Sequence, residues 1–134
     1  MDPFVVSMEP EEEMLIGNMV VTNTGDQAID LSITGAGPVL RRGQIIDAEQ
    51  AVSPALRIYH LVTAIYVHPP SFPELSKTLS SLCAELVHDV PTMGEFVADV
   101  GECMAVGDYR GAHEKCLDLL AFEQGLEDIA NNKG

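Results

Sequence analysis

The residue types that could carry nucleophilic chemistry come together near the end of the chain. His113 stands three residues before Cys116, and on a helix this spacing places both side chains on one face. A cysteine nucleophile needs such a base and a lowered thiol pKa. Cys116, however, also belongs to an apolar helical stripe, which is typical of a residue that packs in a core. The sequence therefore favours a structural cysteine over a thiol nucleophile.

Metal ligation is the second chemistry that these residue types could support. Cys103, His113 and Cys116 are candidate zinc ligands, but zinc sites pair such residues at short spacing in both halves, and a fourth ligand is missing. The glutamate run at 11–13 lacks the alternating oxygen ligands and the glycine of a calcium-binding loop, so we interpret it as a solvated turn between strands. No phosphate-binding loop, dinucleotide fingerprint or nucleophile elbow is present. We expect no metal, no cofactor and no enzymatic activity.

The few basic residues indicate a different kind of site. Arg41 and Arg42 are adjacent, and Arg57 falls in the first turn of a predicted helix, where a cation opposes the helix dipole by a few tenths of a kcal/mol. An unfavourable position of this kind is explained either by an ion pair with a nearby carboxylate or by contact with a ligand. The second explanation predicts that the three arginines form one small positive spot, able to make about two or three phosphate contacts.

The chain as a whole is strongly acidic. Asp and Glu number 21 against 7 Lys and Arg, which gives a formal net charge of −14 that the two halves share equally. Such a molecule is repelled by phosphate backbones and anionic membranes over a Debye length of about 10 Å. The hydrophobic fraction of 46% is nevertheless that of an ordinary globular protein. Any nucleic-acid contact must overcome this acidic body.

Compartment follows from what the sequence lacks. No apolar stretch approaches the roughly 20 residues that span a bilayer, and the first residues do not have the pattern of a secretory signal. Cys83, Cys103 and Cys116 are odd in number and widely spaced, as expected for reduced, buried thiols. The sequence predicts a cytoplasmic protein that does not bind membranes.

The elements that position these residues change type near residue 50. Before it, short apolar runs are separated by turn residues at intervals of about 8–12 residues, as in an antiparallel meander or small sandwich. Ile29, Leu31 and Ile33 alternate with polar residues and predict one face of a strand. The other apolar runs are Phe4–Val6, Met14–Ile16, Met19–Val21, Val39-Leu40 and Ile45-Ile46.

After residue 50 the apolar residues have helical spacing. The first predicted helix begins at Ser53-Pro54 and ends at Pro69-Pro70, and the second begins at Ser71 and ends at Pro91. The third begins with a Thr92/Glu95 capping box and ends at Gly107, and the fourth is capped by Asp108. The fold class is therefore α+β. Residues 1–50 form a small antiparallel β-sheet or sandwich, residues 51–134 form a bundle of about four α-helices, and the two parts could share one core.

Several blocks recur with the order and spacing of a known family. They are Ile16–Asn23, Gly37–Arg41 with Ile45-Ile46, Ser53–Tyr59 running on to Tyr66, and Gly107–Tyr109 with Ala112, Leu120, Ala121 and Glu123. On these blocks the chain resembles the FlbT family of flagellin-expression regulators, from about residue 4 to residue 128. The β-then-helix architecture that the family implies agrees with the apolar patterns.

The resemblance implies post-transcriptional control. FlbT-like proteins associate with the 5′ untranslated region of flagellin mRNA and lower its stability or translation, and some relatives act positively. They work alongside the partner protein FlaF and flagellin itself. The fourth helix departs from the expected pattern, because Gly111, His113, Glu114 and Asp118 stand where family members are richer in Lys and Arg.

Two mechanisms follow from the resemblance. In the first, the protein binds the flagellin leader RNA through Arg41, Arg42 and Arg57, with a base stacked on an exposed Tyr59. In the second, an acidic adaptor or chaperone binds flagellin or FlaF and controls flagellin expression indirectly, through an exposed apolar patch that the sequence does not locate. A homo-oligomer is compatible with both.

Overall fold

The computed structural model describes residues 3–35 and 37–132. The chain divides into two compact units, Met1–Ile45 and Ile46–Gly134. Strands occur in the first unit and α-helices in the second, which confirms the predicted α+β class. Whether 1–50 and 51–134 are separate domains or share a core stays a prediction.

The first unit contains two small antiparallel sheets. The described strands are β1 (Phe4–Met8), β2 (Glu13–Ile16), β3 (Met19–Thr22), β4 (Ile29–Ile33) and β5 (Val39–Arg41). β1 pairs with β4, and β2 lies between β3 and β5. Among the described strands, only β2 and β3 are both consecutive and paired, through a turn in which Gly17 has a φ of +65°. A simple meander is therefore wrong, and the strands are distributed over two sheets.

The two sheets contribute to one apolar cluster. Val6 and Met8 of β1 are buried together with Met14 of β2 and Val39 of β5. Leu31 packs against this cluster and stands opposite Val6 in the β1–β4 register. Because both sheets bury side chains in the same cluster, the first unit corresponds to the predicted small sandwich.

The run Ile45-Ile46 does not form the expected strand. A 3₁₀ helix, Arg42–Gln44, follows β5 directly, and the Arg41 N–H donates to Gln44 Oε1 at 2.8 Å. This side-chain bond takes a backbone donor that a continuing strand would have offered to a neighbour. Ile45 is consequently exposed.

The second unit is a four-helix bundle, as predicted. Its α-helices are α1 (Pro54–Val67), α2 (Phe72–Asp89), α3 (Gly94–Ala105) and α4 (Tyr109–Asn132), and 3₁₀ turns occupy Ala48–Gln50, Pro69–Ser71 and Pro91–Met93. The start of α1 confirms the sequence signal, because Ser53 Oγ accepts from the Leu56 N–H at 3.2 Å and Pro54 takes the first position. Among the described residues, no helix combines the length and apolarity that crossing a bilayer requires.

Two predicted side-chain caps do not form, although Ser71 directly precedes α2 as predicted, and two later signals are confirmed. Ser71 donates its hydroxyl to the His68 carbonyl at 2.6 Å instead of capping α2. The Thr92 capping box does not form, because a 3₁₀ turn runs straight into α3. Gly107 ends α3 with a φ of +77°, and Asp108 caps α4 by accepting from the Gly111 N–H at 3.0 Å.

The core of the second unit surrounds α1. α1 packs against both α2 and α4 and therefore buries more than one face. The predicted inward stripes of the other helices are confirmed. Their buried members are Leu79 and Leu86 on α2, Val97, Val100 and Met104 on α3, and Ala112, Cys116 and Leu119 on α4.

Candidate functional site

The two adjacent arginines at the end of β5 are paired with carboxylates of their own unit. Arg41 Nη1 donates to Glu12 Oε2 at 2.5 Å, and Arg41 Nη2 donates to the Ser7 carbonyl at 2.9 Å. Arg42 Nη1 donates to Glu13 Oε2 at 2.7 Å. For these two residues the ion-pair explanation is therefore the one that the structure supports.

The pairing with Arg41 favours the charged form of Glu12. The hydrogen bond from Arg41 holds the pKa of Glu12 below its ordinary value, and the Glu9 N–H, at 3.0 Å, acts in the same direction. The glutamate run is thus more than a solvated turn, because two of its three carboxylates hold arginines. An open depression of about 520 Å³ is lined by this run and by residues 41–44. Acidic groups outnumber basic ones in it.

Arg57 belongs to the other unit and differs from its two predicted companions. It is exposed in the first turn of α1. Within residues 3–35 and 37–132, its side chain forms no ion pair with a carboxylate. The three arginines are divided between the two units, and neither unit by itself assembles them into one spot.

Tyr59 is not the exposed aromatic that base stacking requires. Only 3% of its surface is accessible, because α1 buries more than one face in the bundle. Burial raises the pKa of the Tyr59 phenol. The expectation of an exposed Tyr59 is wrong, because Tyr59 lies on the same helical face as Val62 and Tyr66, which are also buried.

The Tyr59 hydroxyl instead belongs to a buried polar network that the sequence did not reveal. His113 Nε2 lies 3.3 Å from Tyr59 Oη, and the His113 ring lies 5.2 Å from the Tyr59 ring and 5.6 Å from the Tyr66 ring. Arg110 Nε donates to Tyr66 Oη at 3.1 Å. Burial lowers the pKa of His113, which favours the neutral imidazole. The sequence does contain a signal for this network. Tyr59 and Tyr66 are seven residues apart on one helix, and Arg110 and His113 are three residues apart on another, so each pair lies on one helical face.

Two cysteines of the second unit have raised thiol pKa values, which makes them poor nucleophiles. Cys116 is fully buried, and burial raises its pKa. Burial also raises the pKa of Cys83 to about 11. A reactive cysteine needs a lowered pKa and access to solvent. In the part of the chain that is described, no group of three or more His, Cys, Asp or Glu side chains is arranged to hold a metal ion.

An apolar groove lies between α2 and α3, and the sequence analysis did not identify it. It encloses about 370 Å³, and its floor consists of Leu79, Val97, Val100 and Met104. Its walls are formed by small residues, which are Ser76 and Ser80 on α2 and Gly101 and Ala105 on α3. The groove exists because α2 packs mainly against α1, and α3 packs mainly against α4.

Comparison with known proteins gives consistent matches over nearly the whole chain. The model of the family described as flagellar protein FlbT matches residues 4–126. A probable flagellum biosynthesis repressor protein FlbT 1 of Bradyrhizobium diazoefficiens is 31% identical over 122 residues, which cover 90% of this chain and 82% of the relative. Two Rhodopseudomonas palustris proteins with the name probable flagellum biosynthesis repressor protein FlbT are 29% identical over 124 residues, which cover 92% of this chain and 97% of each relative. No solved structure gives a significant match.

The matched residues include all five strands, the first three helices and most of α4. The resemblance inferred from the conserved-order blocks is therefore confirmed. This chain belongs to the FlbT family.

Proposed function

We propose that the protein represses flagellum biosynthesis by lowering flagellin synthesis after transcription, and that it does so by binding a protein. The names of its relatives support the repressor role. The observation that carries the choice of a protein ligand is the pairing of Arg41 with Glu12 and of Arg42 with Glu13.

These pairs weaken the case for phosphate binding in two ways. A phosphate that approached Arg41 would have to displace the Glu12 carboxylate or remain beside it, and like charges at that distance repel. It would also approach a chain with a net charge of −14, which lowers the local concentration of polyanions. A basic segment of a protein faces no such penalty and is attracted to the same acidic surface.

Direct binding of the flagellin mRNA 5′ leader is the second candidate. The family resemblance implies it, and the observation that favours it is the exposed Arg57, which is without an ion pair among the described residues. In this mechanism Arg41, Arg42 and Arg57 supply the phosphate contacts. Tyr59 does not stack on a base, because it would first have to leave the core.

Flagellin and FlaF are the protein partners that we propose, in the cytoplasm, where flagellin is synthesised. Either would link the amount of bound partner to the rate of flagellin synthesis. A homo-oligomer of the chain is compatible with this role, and the test below includes the oligomeric state.

The deciding experiment mixes the purified chain with purified flagellin, and separately with FlaF, in the absence of RNA. We expect co-elution with at least one of them on size exclusion, at a volume distinct from that of each free protein. The same chain is titrated with labelled flagellin leader RNA at about 50 mM and about 200 mM salt, with Arg57→Ala and the matched control Lys77→Ala. We expect no saturable RNA binding. RNA binding that Arg57→Ala abolishes and Lys77→Ala preserves would establish the second candidate instead.

A further inference from the structure

We propose that the groove between α2 and α3 binds one amphipathic helix of a partner protein, with an aliphatic face and basic flanks. This inference rests on the proposed function, because it names the surface and the class of segment through which a protein would be bound. The observation that starts the argument is an apolar space on the outside of a bundle, where two helices do not close against each other.

The chemistry of the groove suits an aliphatic side chain. Its floor is formed by Leu79, Val97, Val100 and Met104, which offer no hydrogen bond to a polar ligand. Phe72 closes the groove as part of its lining, and its ring stacks on Tyr109 with the centroids 6.2 Å apart. The Ser76 and Ser80 hydroxyls and the Cys83 thiol also line the groove, but over the aliphatic floor a small polar metabolite would lose its hydration without replacement. Apolar side chains would gain by leaving water.

The walls of the groove leave room for the backbone of a helix. Ser80 on α2 and Gly101 on α3 are both exposed, and neither carries a side chain long enough to cover the floor. A Cβ atom added at Gly101 would meet nothing within 4 Å. Helices pack at interaxial distances of about 8–10 Å, and the side chains at the contact set the distance within this range. A helix can therefore lie along the groove with side chains of one face directed into it.

Charge selects the kind of helix. α2 and α3 together carry six carboxylates and a single ammonium group, Lys77. α3 has three of these carboxylates and no basic residue. A helix with Lys or Arg flanking its apolar face is attracted to this surface, and a helix with acidic flanks is repelled. The occupant is therefore a basic amphipathic helix.

The test uses three fluorescent peptides of about 18 residues, long enough for five helical turns. The first has a leucine face and Lys/Arg flanks, the second has the same leucine face with Glu flanks, and the third has the composition of the first in a scrambled order. Binding to the full chain is followed by fluorescence anisotropy. We expect the first peptide to bind at least about ten-fold more tightly than either of the others.

The matched variants are Gly101→Phe and Gly125→Phe. Both glycines lie in helices where an added Cβ meets nothing within 4 Å, but only Gly101 lines the groove. We expect Gly101→Phe to weaken binding of the basic amphipathic peptide by about ten-fold or more and Gly125→Phe to leave it unchanged. Ser80→Trp fills the groove from the opposite wall and is expected to act like Gly101→Phe. Circular dichroism verifies that each variant is folded.

Three results would overturn the inference. Equal binding of the scrambled and amphipathic basic peptides would mean attraction by charge alone. Full binding by both Gly101→Phe and Ser80→Trp would place the peptide elsewhere. A change of oligomeric state in Gly101→Phe without peptide would make the occupant a second copy of this chain.

The inference and the proposed function fail separately. If flagellin or FlaF co-elutes with the chain and Gly101→Phe does not disturb this, the groove is not the binding site and the proposed function still holds. If the peptide binds in the groove but neither flagellin nor FlaF co-elutes, the groove is a binding site and the proposed partners are wrong.

Discussion

Ser53 Oγ donates to Glu123 Oε1 at 2.5 Å and so joins the start of α1 to α4 across seventy positions of sequence. The Ala55 N–H donates to the other carboxylate oxygen at 3.3 Å. Because the first N–H groups of a helix have no partner inside it, Glu123 accepts hydrogen bonds where the backbone leaves donors free. Its negative charge also lies at the positive end of the α1 dipole.

Glu123→Ala is expected to lower the free energy of unfolding by about 1–2 kcal/mol, the range found for the loss of a helix cap. Urea unfolding at pH 7 measures it. Glu127→Ala, four residues further along the same helix and exposed, is the matched control and should change the stability little. Equal midpoints for the two variants would contradict the capping role of Glu123.

The cap of α1 illustrates what the sequence could predict. Ser53 and Pro54 are a local signal, since the cap bonds to an N–H three residues away. Glu123 supports the same helix end but is 70 residues from Ser53, and no spacing rule connects them. The boundaries of α1 and the inward stripes of α2, α3 and α4 were accessible because they depend on neighbouring residues. The tertiary partner was not.

The prediction of strand pairing failed for the same reason. Gly17, with a φ of +65°, lies in the turn between the apolar runs that form β2 and β3, and these two strands pair. The partner of β1 is β4, with Phe4 opposite Ile33, and nothing in the intervening turns specifies this choice. A meander assumes that consecutive strands always pair, which is a frequent outcome and not a rule.

The candidate site shows the limit of reasoning from single residues. The arginines were identified because they are scarce in an acidic chain, and the alternatives of ion pair and ligand contact were both open. The choice depended on whether the glutamates of the 11–13 run lay beside β5, which is a tertiary fact. Tyr59 was expected to be exposed as an aromatic for base stacking, although its spacing to Val62 and Tyr66 places it on a face that the bundle buries.

The Arg41–Glu12 pair predicts a pH-dependent contribution to stability. The folded-state pKa of Glu12 is below its unfolded value, so the contribution is present above the unfolded pKa and is lost as the pH falls through the folded pKa. Glu12→Gln should therefore be less stable than the parent protein at pH 7, and the difference should shrink as the pH falls below the ordinary Glu range and through the folded-state pKa. Urea unfolding across this range measures the difference.

Glu11→Gln is the control for this prediction. Glu11 is exposed in the same run, and its backbone N–H, not its carboxylate, bonds to Asn23 at 2.8 Å. It should show no such pH-dependent difference. If Glu11→Gln and Glu12→Gln gave the same pH dependence, general charge repulsion and not the Arg41 pair would explain it.

The buried His113 predicts a second pH dependence, in a higher range. The groups that face it are the phenols of Tyr59 and Tyr66, so no carboxylate in these contacts compensates a charged imidazole. Its folded-state pKa is lowered by burial, so the unfolded chain takes up the proton first as the pH falls. Stability is therefore full above the ordinary His pKa of about 6.5 and decreases from there towards the folded-state pKa.

His113→Leu removes this titration and should flatten the loss of stability between about pH 7 and pH 5. Urea unfolding at several pH values in that interval, for the variant and the parent protein, measures the slope. His88→Gln is the control, because the His88 side chain is 88% exposed and its removal leaves the core unchanged. A slope that His113→Leu leaves intact would mean that His113 takes up its proton equally in the folded and unfolded chains, and that another group causes the slope. The bundle would then have to hold the charged imidazole among phenols and aliphatic side chains, which the cost of burying an unpaired ion opposes.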